Sequence, residues 1–184
     1  MNLTKLFEMQ RELDERIVKE KGLEGRDLLP EKILALQVEL GECANEWRGF
    51  KFWSEDQESR TMQYRKVLKR FLSRDEYISR EQYNPLLEEY IDCLHFILSI
   101  GLIDDLYTYV GTFEPVTSDN ITKIFNRIFG AVSYISEDFD AYEYQMLLEF
   151  FFGLGKMLGF TWEQIESAYK TKWEINQQRQ STGY

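Results

Sequence analysis

The chain is short of residues that interrupt helices, staple loops or ligate soft metals. Only three prolines occur in 184 residues, so long unbroken helices are permitted. The two cysteines, Cys43 and Cys93, have no Cys-x-x-Cys spacing, which argues against a disulfide framework or a zinc site and fits a reducing, cytoplasmic setting. A single histidine, His95, cannot supply the Glu-x-x-His motif that a di-iron bundle needs on each of two helices. Positive charge is scarce as well: 22 Lys and Arg stand against 32 Asp and Glu, a net charge of -10. Such a balance argues against gripping a nucleic-acid polymer, although metal ions could still let an acidic protein hold a small phosphate ligand. No apolar run is long enough to cross a bilayer, since residues 93–103 reach about half the required length. The opening MNLTKLFEMQRELDERI is charged throughout and lacks the apolar core of an export signal.

Apolar residues instead recur at helical spacing almost everywhere, without an alternating run of β-branched residues. The pattern predicts one all-α domain over residues 1–184, a helical bundle. A first helix is expected over residues 3–19, ending near Gly22 and Gly25, and a second from Pro30. Asn84 and Pro85 should start a third, ending near Gly101. Between the second and third lies a charged stretch, residues 54–83, containing YRKVLKRFLSR, read as an extra helix with a basic face or simply a solvated one. Ser118 or Asp119 would cap a helix through residue 135, another follows over 142–158, and Thr161 with Gln164 forms a capping box for a last helix over 162–179.

Two of these helices carry paired acids. Glu39 and Glu42 lie in ILALQVELGECANEW, among Ile33, Leu34, Leu36, Val38 and Leu40; Glu89 and Asp92 lie in LLEEYIDCLHFILSIGLI. Residues three apart share a helix face, so packing the two helices together would bring four carboxylates to one point. Ionised carboxylates in apolar surroundings need a compensating cation. Hard divalent ions favour oxygen ligands, and Mg²⁺ shares its coordination with substrate phosphates while lowering the pKa of a bound water. The pattern therefore suits phosphoanhydride hydrolysis. Glu46 continues the stripe or ends the helix, Glu88 is read on the solvated side, and His95 either touches substrate or is a satisfied core histidine.

The C-terminal YKTKWEINQQRQSTGY places Tyr169, Lys172, Asn176 and Arg179 on one face, either a phosphate clamp or an exposed basic helix end. On the first helix, Gln10 and Asp14 are the polar members of a stripe with Leu3, Phe7 and Ile17, and could pair with a pyrimidine edge or with a neighbouring helix.

Taken together, MQRELDERI, VELGECANEWRGFKFW, EEYIDCLHFILS and YKTKWEINQQRQSTGY resemble the dimeric all-α dUTPases of the all-α nucleoside triphosphate pyrophosphohydrolase group. The resemblance implies a Mg²⁺-dependent homodimer, using two or more ions, that converts dUTP, and also dUDP, to dUMP. It makes Glu39, Glu42, Glu89 and Asp92 metal ligands, with Glu42 orienting or deprotonating the attacking water beside Glu39 and Asp92. Lys172 and Arg179 would hold phosphates, Asn176 would lie near the sugar and phosphates, Gln10 and Asp14 would read the uracil, and Lys51 with Trp53 would close part of the pocket. Asp14 stands where some relatives have Asn, and the chain stops at Gly183 and Tyr184 where some continue over the substrate, so closure is expected to differ. Two other readings are open: a sister enzyme acting on another nucleotide such as dCTP, and a non-enzymatic helical interaction module. The crowded aromatics around FFFGLG fit a buried dimer contact.

Overall fold

The computed structural model describes residues 3–70, 76–137 and 140–181. Six α-helices account for most of them: α1 Thr4–Lys21, α2 Leu29–Trp47, α3 Pro85–Gly101, α4 Ile121–Glu137, α5 Ala141–Met157 and α6 Trp162–Ser181, with a 3-10 segment at Ile103–Tyr109. The all-α reading holds, and several predicted ends are made by the expected chemistry. Gly22, in the left-handed region at φ 63°, closes α1. Asn84 Oδ1 accepts from the Leu87 amide at 3.0 Å ahead of Pro85. Thr161 and Gln164 exchange both bonds of a capping box, at 2.9 and 3.3 Å. At α4 the cap is Asn120, which accepts from the Lys123 amide at 2.8 Å, in place of the expected Ser118 or Asp119.

The charged segment corrects the sequence reading. Instead of an extra helix it forms an antiparallel hairpin, β1 Gln63–Arg70 and β2 Glu76–Tyr83, in the register Gln63 opposite Tyr83 and Arg70 opposite Glu76. Tyr64, Val67, Ile78 and Tyr83 are residue types that suit a pleated surface, while in the sequence Tyr64, Val67 and Leu68 also stand at helical spacing. Pairing across the hairpin decides between the two, Arg65 facing Glu81 with a 3.6 Å ion pair.

Helix α3 is the axis of the molecule and is buried nearly all round, packed by α1, α2, α5 and α6. It runs antiparallel to α2, because Lys32 near the start of α2 meets the Ser99 carbonyl near the end of α3, while Glu39 further along α2 meets Asp92. Helix α2 buries only the stripe Ile33, Leu36, Leu40 and Cys43. Leu34 and Val38, expected among the apolar neighbours of the acids, lie on the outer face at 61% and 51% exposure. The core is rich in tyrosines whose hydroxyls are satisfied internally: Tyr90 donates to the Phe151 carbonyl at 3.1 Å and Tyr144 to that of Ile97 at 3.0 Å. Glycine is required at Gly153, where any side chain would run into the Val116 carbonyl.

Candidate active site

Three of the four predicted acids converge. One oxygen from each of Glu39, Glu89 and Asp92 lies within 4.8 Å of the others, all three half-buried. Burial, then the charges of Asp92 and Glu42, pushes Glu39 up from 4.5 to about 7, and Glu89 rises to about 7 for the same reasons with Glu39 added. Burial also raises Asp92, against the pull of Lys172. Glu42 is exposed and outside the trio, close enough for its charge to act on Glu39 and Glu89. The trio is a hard oxygen donor set carrying mutual repulsion that a cation would relieve, so these residues fit a divalent metal.

A cation of the chain itself already leans on this cluster. Lys172 of α6, 11% exposed, donates to Asp92 Oδ2 at 2.6 Å and lies 3.6 Å from Glu88 Oε1. Glu88, read as a solvated charge, is thus half-buried and paired; its carboxylate also receives both contacts of Arg65 Nη1, at 3.1 and 3.3 Å. From the acids a cavity of about 230 Å³ extends along α3, lined by Glu39, Asp92, His95, Lys172, Asn176, Arg179, Gln10 and Asp14, with Phe96 and Ser99. Asn176 Oδ1 accepts from Arg179 Nη1 at 3.4 Å. Eight of the predicted site residues therefore share one cavity. Lys51 and Trp53 do not line it: they sit on the loop after α2, with Trp53 66% exposed and edge-on to Phe50 and Phe52. Gly183 and Tyr184 lie outside the described residues.

At the far end of the cavity the side chains form an ordered network. Gln10 Oε1 accepts from the Tyr169 hydroxyl at 2.8 Å and from His95 Nδ1 at 2.7 Å, while Gln10 Nε2 donates to Asp14 Oδ1 at 2.7 Å. A carbonyl oxygen only accepts, so His95 Nδ1 carries the proton and Nε2 presents a lone pair, which has no hydrogen-bond partner. Burial holds this imidazole neutral, down at about 3. Asp14 Oδ2 accepts from Lys32 Nζ at 3.0 Å and from the Ser99 hydroxyl. Lys32, Ser99 and Glu88 were not singled out as site residues from sequence, and Tyr169, placed on the candidate clamp face, binds Gln10 instead. A lone Ser in an apolar run and a lone Lys near the start of a half-buried helix are weak signals until their partners on other helices are known.

A model of the family described as dUTPase matches residues 2–69 and 76–184. The chain belongs to the dUTPase family. A search of curated proteins finds no match to it. Membership of the dUTPases makes the chain an enzyme, a dUTP diphosphatase, and sets aside the reading as a non-enzymatic module. A nucleotide is the substrate, and the acid trio is the part of this dUTPase suited to a metal. No helix among the described residues is long and apolar enough to cross a membrane.

Proposed function

We propose that this dUTPase binds dUTP, and dUDP, lengthwise along α3 and hydrolyses them to dUMP with two or more Mg²⁺ ions, as a cytoplasmic homodimer. The observation that carries the reading is one cavity with Glu39, Asp92 and Lys172 at one end, Glu89 grouped with those two acids beside it, and an ordered donor and acceptor set at the other. Asp92 and Ser99 are separated by about 10 Å of helical rise, the reach needed between a phosphate and the far edge of its base. Held by Glu39, Glu89 and Asp92, Mg²⁺ would neutralise phosphate charge and polarise the scissile phosphoryl group.

The chain's own residues supply the rest. Glu42, exposed beside the trio, orients the attacking water and takes its proton as the oxygen bonds to phosphorus and the phosphoanhydride bond breaks. Lys172 and Arg179 hold the phosphate charge, and Asn176 lies along the sugar. Gln10 Nε2 has a second N–H for a uracil carbonyl, and Asp14 Oδ1 keeps a lone pair for the ring N3–H. His95 Nε2 is a fixed acceptor between the two ends, suited to a sugar hydroxyl. Lys51 and Trp53 close over the mouth from their exposed loop.

The Asp14 carboxylate favours a second reading. Cytosine can give its amino group to Asp14 and accept from Gln10 at N3, making the same two bonds, so dCTP is the competing substrate. Pyrophosphate release from each deoxynucleoside triphosphate, with and without Mg²⁺, separates them. Fastest, Mg²⁺-dependent release from dUTP is expected; preference for dCTP would replace the uracil reading. Phe151 and Phe152 of FFFGLG, expected at a dimer contact, are buried in the chain's own core, so the homodimer is supported instead by Leu34 and Val38, one turn apart on the outer face of α2, and the reducing setting by the free, buried Cys43 and Cys93.

A further inference from the structure

An isolated two-stranded hairpin is marginal in water, so β1–β2 must be held by what it packs against. Its anchor lies next to the acid cluster. A small cavity of about 160 Å³ separates the hairpin from α3 and α6, lined by Arg65 and Tyr83 on one side and Leu87, Glu88, Lys172 and Ile175 on the other. The Arg65 guanidinium sits 4.8 Å from the centre of the Tyr83 ring and reaches both oxygens of Glu88. Glu88 in turn faces Lys172 at 3.6 Å, and Lys172 donates to Asp92 at 2.6 Å. Charges thus alternate from the hairpin to the acid trio: Arg65, Glu88, Lys172, Asp92.

We propose that Glu88, held in place by Arg65 of the hairpin, is a positioning residue for Lys172, aiming its ammonium at the phosphate end of the cavity. The proposal rests on the reading of Lys172 as a phosphate-holding group. Lysine is a point charge on a flexible stem, without the planar fork that lets arginine fix its own direction. Asp92 alone cannot fix it, because Asp92 belongs to the trio whose charge a metal would share. Glu88 lies outside that trio, so its charge is divided between Arg65 and Lys172 and is not shared with a metal. The hairpin, none of whose described side chains lines the cavity along α3, thereby acts on the site through the Arg65–Glu88 ion pair.

The test uses steady-state kinetics with dUTP and Mg²⁺, calorimetric binding of a non-hydrolysable α,β-imido dUTP, and thermal melting of each variant. Glu88→Gln keeps the size and removes the charge; KM and the analogue Kd should rise about fivefold, the upper range for a partly exposed ion pair, with a smaller change in kcat. The double variant Arg65→Glu with Glu88→Arg rebuilds the hairpin ion pair but sets a cation against Lys172. Its KM and Kd should stay above those of Glu88→Gln. Recovery to wild type in the double variant would reduce the pair to a hairpin anchor and overturn the proposal, as would wild-type binding by Glu88→Gln. If the double variant melts early, Glu88→Gln alone decides. Lys172→Met tests the reading beneath: unchanged analogue affinity there removes the phosphate role and the proposal together, whereas a loss in Lys172→Met with none in Glu88→Gln removes the proposal only.

Discussion

Removing the charge of Glu39 should stabilise the metal-free protein at neutral pH. Glu39 and Glu89 are each pushed from 4.5 to about 7, burial first and neighbouring acids second. A carboxyl raised in the folded state binds more protons folded than unfolded between those values. Its stabilisation is therefore complete below about 4.5 and is lost as pH rises towards 7. A tenfold change in proton affinity is worth about 1.4 kcal/mol. Both carboxyls are half-exposed and they share one repulsion, so solvent screening reduces the pair to about 2 kcal/mol. In a chain of this length that corresponds to about 4–8 °C in melting temperature. Wild type in EDTA should lose about this much between pH 5 and pH 8, and Glu39→Gln should lose visibly less and melt higher at pH 8. Millimolar Mg²⁺ should restore wild type at pH 8, because a ligand of the folded state alone stabilises it, and should do little for Glu39→Gln. Equal pH slopes for the two proteins in EDTA, measured by differential scanning calorimetry, would mean that Glu39 is not under the strain inferred from its neighbours.

Asp92→Asn and Glu42→Ala should each lower dUTP turnover at least 100-fold while far-ultraviolet dichroism stays that of the wild type; turnover retained in both would remove the acids from the chemistry. Asp14→Ala should raise KM for dUTP about tenfold, the worth of one charge-assisted hydrogen bond, with less effect on kcat. An unchanged KM in steady-state assays would take base reading away from Asp14. If the proposed homodimer joins through the outer face of α2, Leu34→Glu combined with Val38→Glu should lower the sedimentation coefficient to that of a monomer, since two charges would replace apolar side chains on one helix face; an unaltered sedimentation coefficient would take the interface away from this face. Tyr144→Phe should cost about 1 kcal/mol in denaturant unfolding through the lost bond to the Ile97 carbonyl.

What could be read from the sequence, and what could not, follows from the range of the interactions involved. Helix ends set by neighbours in sequence were legible: Asn84 before Pro85, and the Thr161 and Gln164 box. So were the acid pairs, because i, i+3 spacing fixes a shared side of a helix. The spacing does not fix a shared point. Three residues leave two side chains about 60° apart around the axis, enough for Glu39 to face α3 while Glu42 turns to solvent. The hairpin was missed because Tyr64, Val67 and Leu68 stand at helical spacing without alternation, and what selects the strand is the pairing of residues 63–70 with 76–83. Leu34 and Val38 were placed in the core on hydrophobicity, yet α2 has a single buried stripe.

Helix α3 explains how a site this polar survives at the centre of the fold. Glu88, Asp92, His95 and Ser99 follow one another at intervals of four, three and four, a polar stripe flanked by Glu89 of the acid trio on a helix whose other faces are mostly apolar. The four are compensated from three other elements: Glu88 by Arg65 of β1, Asp92 by Lys172 of α6, and His95 and Ser99 by Gln10 and Asp14 of α1, Asp14 itself held by Lys32 of α2. A buried polar group left without its partner costs about 1–3 kcal/mol, more for a charge. The stripe therefore favours one axial register of α3 against its neighbours, since sliding the helix by one turn would exchange each of these pairings for a different one. The same bonds that define the cavity thus also specify the packing. Neutral replacements that keep hydrogen bonding, such as Asp92→Asn, should accordingly be tolerated by the fold far better than apolar ones such as Asp92→Leu, which would leave Lys172 half-buried without its closest anion.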